Sequence, residues 1–75
     1  MTTLSDLTPR EIEILELVMT GKTNKSIGNL ICISAKTVEF HLDHIYTKIG
    51  VRTRLMATTW ALRQGIVEKT REIPS

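Results

Sequence analysis

Residues 33–51, "ISAKTVEFHLDHIYTKIGV", decide how this chain folds. Ser34 is suited to cap a helix N-terminus, and Gly50 is the residue type that ends helices in a left-handed turn. Between them Val38, Leu42, Ile45 and Ile49 recur at spacings of four, three and four, a single apolar helical stripe. Advancing about 100 degrees per residue, that stripe centres ~210 degrees from Lys36. Lys36, Glu39, Phe40, Asp43 and Thr47 fall on the opposite side. An aromatic ring and two acids therefore occupy a face that the core does not claim.

The punctuation on either side repeats the pattern. "TPRE" at 8–11 reads as a capping box, in which Thr8 and Glu11 bond each other's backbone N–H groups. Pro9 takes the first helical position, where its missing N–H is of no consequence. Ile12, Leu15 and Met19, broadened by Ile14, Leu17 and Val18, make that first helix central to the core. Gly21 ends it. Thr23 or Asn24 starts a short second helix with Ile27, Leu30 and Ile31 on its apolar side, interrupted at "CIS", residues 32–34. Thr53 caps a fourth helix carrying Leu55, Met56, Ala57, Trp60, Ala61 and Leu62, which Gly65 closes. No segment has the alternation of a strand. The reading is an all-α, four-helix domain, with its second and third helices joined by the tight turn of a helix-turn-helix.

The chain has 75 residues, enough for one domain, with a core at 7–67 and polar tails at 1–6 and 68–75. A domain this small buries only about 60% of its unfolded surface, so association would help it. The apolar fraction of 41% is sufficient for a core. Ten Lys and Arg against eight Asp and Glu give a net charge of +2, which permits a polyanionic partner without demanding one. A lone cysteine, Cys32, excludes an internal disulfide and suits a reducing cytoplasm. The N-terminus has no apolar signal region, and no apolar run approaches the ~20 residues of a membrane span.

The chemistry of catalysis is missing from the pattern. The chain has no glycine-rich phosphate loop and no nucleophile elbow, so the reading is not an enzyme and needs no cofactor. His41 and His44 are three apart on the third helix, but no cysteine or carboxylate set completes a metal site. Cys32 reads as a small buried filler. In a helix-turn-helix, the outward residues of the third helix read base edges in the major groove. A Phe contacts thymine methyls, and Glu or Asp accepts from cytosine N4. Two readings of Phe40 stand side by side: base contact, or packing on a neighbouring helix or dimer partner. Glu39 and Asp43 are equally consistent with a solvated face. Lys22, Lys25, Lys36, Lys48, Arg52 and Arg54 lie around the motif, where cations grip phosphates.

Residues 7–67, "LTPREIEILELVMTGKTNKSIGNLICISAKTVEFHLDHIYTKIGVRTRLMATTWALRQGIV", resemble the LuxR/NarL/GerE-type DNA-binding domain. The resemblance is carried by "LTPRE", "G-x-[ST]-N-K-x-I", "IS-x-KTV-x-x-H", "I-x-x-K-[IL]-G-V" and "R-x-R", in that order. It implies a third helix that recognises double-stranded DNA and a fourth that forms a homodimer on inverted-repeat sites. It also implies a role in bacterial cytoplasmic transcription, with RNA polymerase as a further partner. The family's phosphate-contacting pattern falls on Thr23, Asn24, Lys25, Ser34, Lys36, Thr37 and Lys48, and its base-reading positions on Glu39, Phe40 and Asp43. On the fourth helix, Leu55, Thr59 and Leu62 are expected to face the dimer partner.

The chain departs from the family at three places. Glu39 and Asp43 stand where many members carry cations, Gly28 where alanine is usual, and Cys32 where glycine or a small polar residue is common. The acidic face keeps a second function in view, a module that pairs with another regulator without binding DNA. A promoter-reading domain of a sigma factor shares the "NKSIG…IS-x-KTV" pattern but fits "LTPRE" and the fourth helix less well. The sequence suits both a stand-alone regulator and the output domain of a larger one.

Overall fold

The structure, a computed structural model, describes residues 2–66. Four α-helices follow a short 3-10 turn at Leu4–Asp6: α1 Pro9–Met19, α2 Asn24–Ile31, α3 Ala35–Ile49 and α4 Arg54–Arg63. No strand occurs among the described residues. The tail at 68–75 lies outside them. At the other end, residues 1–6 read as a polar tail in the sequence, but the Thr3 amide donates to Asp6 Oδ2 at 2.8 Å and winds Leu4–Asp6 into a turn. Leu4 rests partly against the core.

Each helix begins where a hydroxyl can take one of its orphan amides. Thr8 Oγ1 accepts from the Glu11 amide at 3.1 Å, and Glu11 Oε1 accepts from the Thr8 amide at 2.9 Å, closing the capping box. Thr23 accepts from Ser26 N at 3.1 Å, Ser34 from Thr37 N at 3.0 Å and Thr53 from Met56 N at 3.1 Å. Such caps are worth about 1 kcal/mol each, a large share of the stability available to so small a domain.

Ile14, Leu15, Ile27, Val38 and Ile45 are fully buried where α1, α2 and α3 meet. α2 packs chiefly on α3, and α1 on both α3 and α4. Ala57 and Ala61 are the buried residues of α4 and let it approach closely, while Trp60 is half-buried against the core. Leu30 departs from the sequence reading: assigned to the apolar side of α2, it is exposed. With only eight residues, α2 presents a narrow buried face, which Ile27 fills.

Two of the departures from the family pattern lie at the turn of the helix-turn-helix, and its geometry accounts for the one at Gly28. Cys32 is exposed, not the buried filler that the sequence suggests, and it takes the left-handed conformation at φ 62, ψ 40. α3 ends the same way at Gly50, φ 75, ψ 33. In both places two successive amides close on one carbonyl. Cys32 and Ile33 donate to Gly28 O, and Gly50 and Val51 donate to Tyr46 O. Gly28 is buried beneath this turn. A Cβ there would stand 2.4 Å from Ile33 O, a contact that the backbone must shift to relieve. The glycine that costs helix propensity makes room for the turn.

Candidate nucleic-acid interface

The outward face of α3 is assembled by the stripe behind it. Val38, Leu42, Ile45 and Ile49 are buried, so Lys36, Glu39, Phe40, Asp43 and Thr47 must point away, and all five are exposed. Phe40 is 61% exposed. Its ring meets the His44 ring at a centroid distance of 4.5 Å and the His41 ring at 6.1 Å. Of the two readings of Phe40, packing on a neighbouring helix within the chain is thereby removed. Thr47 Oγ1 donates back to Asp43 O at 2.9 Å.

Both helices of the helix-turn-helix start at a pair of hydroxyl residues. Ser34 Oγ and Thr37 Oγ1 are 2.9 Å apart, and Thr23 Oγ1 lies 3.2 Å from Ser26 Oγ. The caps occupy the third amide of each helix and leave the first two without an intrahelical partner, and such amides suit phosphate oxygens. Lys25 and Lys36, one in each first turn, are exposed. Asn24 is tied in differently. Arg54, from the start of α4, donates through Nη1 to Asn24 Oδ1 at 3.2 Å and through Nη2 to the Lys22 carbonyl. A cation that the sequence placed around α3 thus braces the start of α2 across 30 residues.

Lys48 is the expected phosphate contact that the structure engages elsewhere. Its Nζ lies 2.7 Å from Glu11 Oε1, and Glu11 is buried while Lys48 is partly exposed. Thr2 Oγ1 donates to the Lys48 carbonyl at 3.0 Å, satisfying part of the α3 C-terminus. Burial works against the Glu11 charge, but the Lys48 and Thr8 hydrogen bonds outweigh it and hold its carboxyl below the usual carboxylate range. Burial pushes the Tyr46 phenol up; the Arg54 cation opposes this and the Asp43 carboxylate adds to it.

On α4, Leu55, Thr59 and Leu62 share one exposed stripe, opposite Ala57 and Ala61. Leu55 is 76% and Leu62 62% exposed. Among the described residues, no group of three or more His, Cys, Asp or Glu is placed to hold a metal ion, and no helix is long and apolar enough to cross a membrane.

The sequence that builds this arrangement matches a family model, "Bacterial regulatory proteins, luxR family", over residues 5–61. The chain belongs to the LuxR family. It is 46% identical over 61 residues to the transcriptional regulatory protein LiaR of Bacillus subtilis, covering 81% of this chain and 29% of that protein. It is 45% identical over 62 residues to the response regulatory protein YgeK of Escherichia coli, covering 83% and 42%. It is 40% identical over 62 residues to the oxygen regulatory protein NreC of Staphylococcus aureus, covering 83% and 29%. The chain thus spans less than half the length of these relatives. Membership makes it a helix-turn-helix domain of the DNA-binding kind found in bacterial regulatory proteins.

Three relationships escaped the sequence. The Glu11–Lys48 ion pair and the Arg54 brace join residues 37 and 30 positions apart, which no local pattern reveals. The Phe40–His44 pair was accessible, because residues four apart on a helix are neighbours. The sequence pattern alone presents His44 only as half of a candidate metal pair with His41.

Proposed function

We propose that this LuxR-family domain binds inverted-repeat sites in double-stranded DNA as a dimer, with α3 in the major groove. Glu39, Phe40 and Asp43 read bases, while Thr23, Asn24, Lys25, Ser34, Lys36 and Thr37 hold the phosphates. Lys48 completes the phosphate set only as a shared cation, since Glu11 already holds it. Leu55, Thr59 and Leu62 of α4 meet the partner subunit. The observation that carries this reading is the exposed outward face of α3 beside two open helix N-termini. It rests also on the family match and on a relative named as a transcriptional regulator. Binding to RNA polymerase and a cytoplasmic site of action belong to the same proposal.

The test is selection of bound duplexes from a random DNA pool at low salt, followed by sequencing. An inverted repeat with half-site centres about 10 bp apart, or a multiple of that, is the expected outcome. Affinity should fall steeply with salt, by a slope of about −0.9 per phosphate neutralised. The exposed acids Glu39 and Asp43 favour one second reading, a module that pairs with another regulator without touching DNA. No enrichment at low salt from a folded protein would select it.

A further inference from the structure

The outward face of α3 is divided lengthwise. Glu39 and Asp43 lie along one edge, Phe40 and His44 along the other, and Lys36 and Thr47 run between them. The aromatic edge is a contact as well as a composition. The Phe40 and His44 rings sit 4.5 Å apart, tilted at 56°, and the neighbouring His41 ring meets Phe40 edge-on at 6.1 Å and 68°. An exposed Phe on a helix otherwise samples several rotamers, and each leaves its edge in a different place relative to a base step. A ring held on one side reads one position.

We infer that His44 is a positioning residue for base recognition: its ring holds the Phe40 ring against the aromatic edge of α3 and thereby sets which thymine methyl Phe40 meets. This rests on the reading of α3 as the recognition helix. The acids then take amino-bearing bases along the opposite edge, so a half-site carries its thymine preference and its cytosine preference on different edges of the groove. His44 reaches DNA specificity without contacting a base. Aromatic pairs of this geometry are worth enough to change a preference about two- to tenfold.

The experiment repeats the random-pool selection with the whole chain and its His44→Ala, His44→Phe and Phe40→Ala variants, after circular dichroism has shown that each is folded. The wild type should enrich a thymine at a fixed position, and Phe40→Ala should flatten that position. His44→Ala should flatten the same position about two- to tenfold while leaving the remaining bases of the half-site as they were. His44→Phe, which keeps an aromatic ring, should restore it. Loss of the thymine in Phe40→Ala but not in His44→Ala overturns the positioning role. An even loss of affinity on all duplexes in His44→Ala overturns it as well, since that is the signature of a phosphate contact. A thymine that survives Phe40→Ala, or a wild type that enriches nothing, instead removes the base-reading role of α3 on which the inference stands.

Discussion

Lys48 Nζ on α3 reaches Glu11 Oε1 on α1 at 2.7 Å, and Glu11, the one buried charged residue in the described core, is 6% exposed. The same carboxylate oxygen accepts from the Thr8 amide, so one atom caps α1 and fixes the far end of α3 to it. The pair thus couples a helix cap to the angle at which α3 is presented.

Lys48→Ala should therefore act through the fold before it acts through DNA. It strands a buried carboxylate, and stability should fall by about 2 kcal/mol, less than for a fully buried pair because Lys48 is partly exposed. Because the folded Glu11 carboxyl lies below its ordinary value, its contribution is present above the unfolded pKa of about 4.3 and is lost as pH falls through the folded value. The stability of the wild type to urea should fall as pH drops below about 4.5, and Glu11→Gln should show a shallower loss over that window. An unchanged slope in Glu11→Gln would remove the ion pair from the account.

The turn between α2 and α3 makes opposite predictions for two neighbouring substitutions. Cys32 holds a left-handed conformation that disfavours any side chain by roughly 1 kcal/mol. Cys32→Gly should raise stability by up to about that amount, diminished by the greater freedom of glycine in the unfolded chain. Gly28→Ala should lower stability even though alanine favours helix by about 1 kcal/mol, because its Cβ would stand 2.4 Å from Ile33 O. Thermal unfolding of both variants decides the matter; stabilisation by Gly28→Ala would mean that the turn gives way easily.

The fold was legible because every helix start and most helix ends are local signals. Thr8, Thr23, Ser34 and Thr53 announce the caps, and the four-three-four stripe of α3 announces its buried face. The outward face of α3 followed by subtraction, whereas the stripe of α4 came from the family resemblance and not from the pattern of its residues. What pattern could not supply was the contact between distant residues. The sequence makes Lys48 a surface cation, and only the packing of α1 on α3 sets Glu11 against it. Cys32 and Gly28 show a second limit. Propensity rates each residue alone, whereas the turn requires a left-handed residue at one position and an absent Cβ at the other. Leu30 shows a third, since on a helix as short as α2 an apolar residue is not assured of a neighbour.

The acids on α3 give a test in which two effects differ in sign. Glu39 faces outward, so in a complex it would stand near phosphates, and each unit charge there opposes binding by about 1 kcal/mol in water at low salt. Glu39→Gln should raise affinity for random duplexes by about fivefold. If Glu39 accepts from a cytosine N4, affinity for the selected site should fall, or gain less, because the best acceptor is gone. Fluorescence anisotropy on a selected and a scrambled duplex separates the two. An equal gain on both would make Glu39 a solvated bystander.

The exposed stripe of α4 makes the dimer testable without disturbing the core. Leu55 and Leu62 turn away from Ala57 and Ala61, so Leu55→Glu removes apolar surface from solvent contact rather than from packing, and the monomer fold should persist. Analytical ultracentrifugation on an inverted-repeat duplex should show two chains bound for the wild type. For Leu55→Glu, one chain should bind at concentrations where the wild type is fully paired. Affinity for the whole site should fall by roughly tenfold, the order expected for losing an apolar interface anchor. Affinity for a single half-site should be unchanged. Equal weakening on both duplexes would place Leu55 against DNA or the fold instead of a partner. Two chains bound as tightly as before would move the interface off this face of α4.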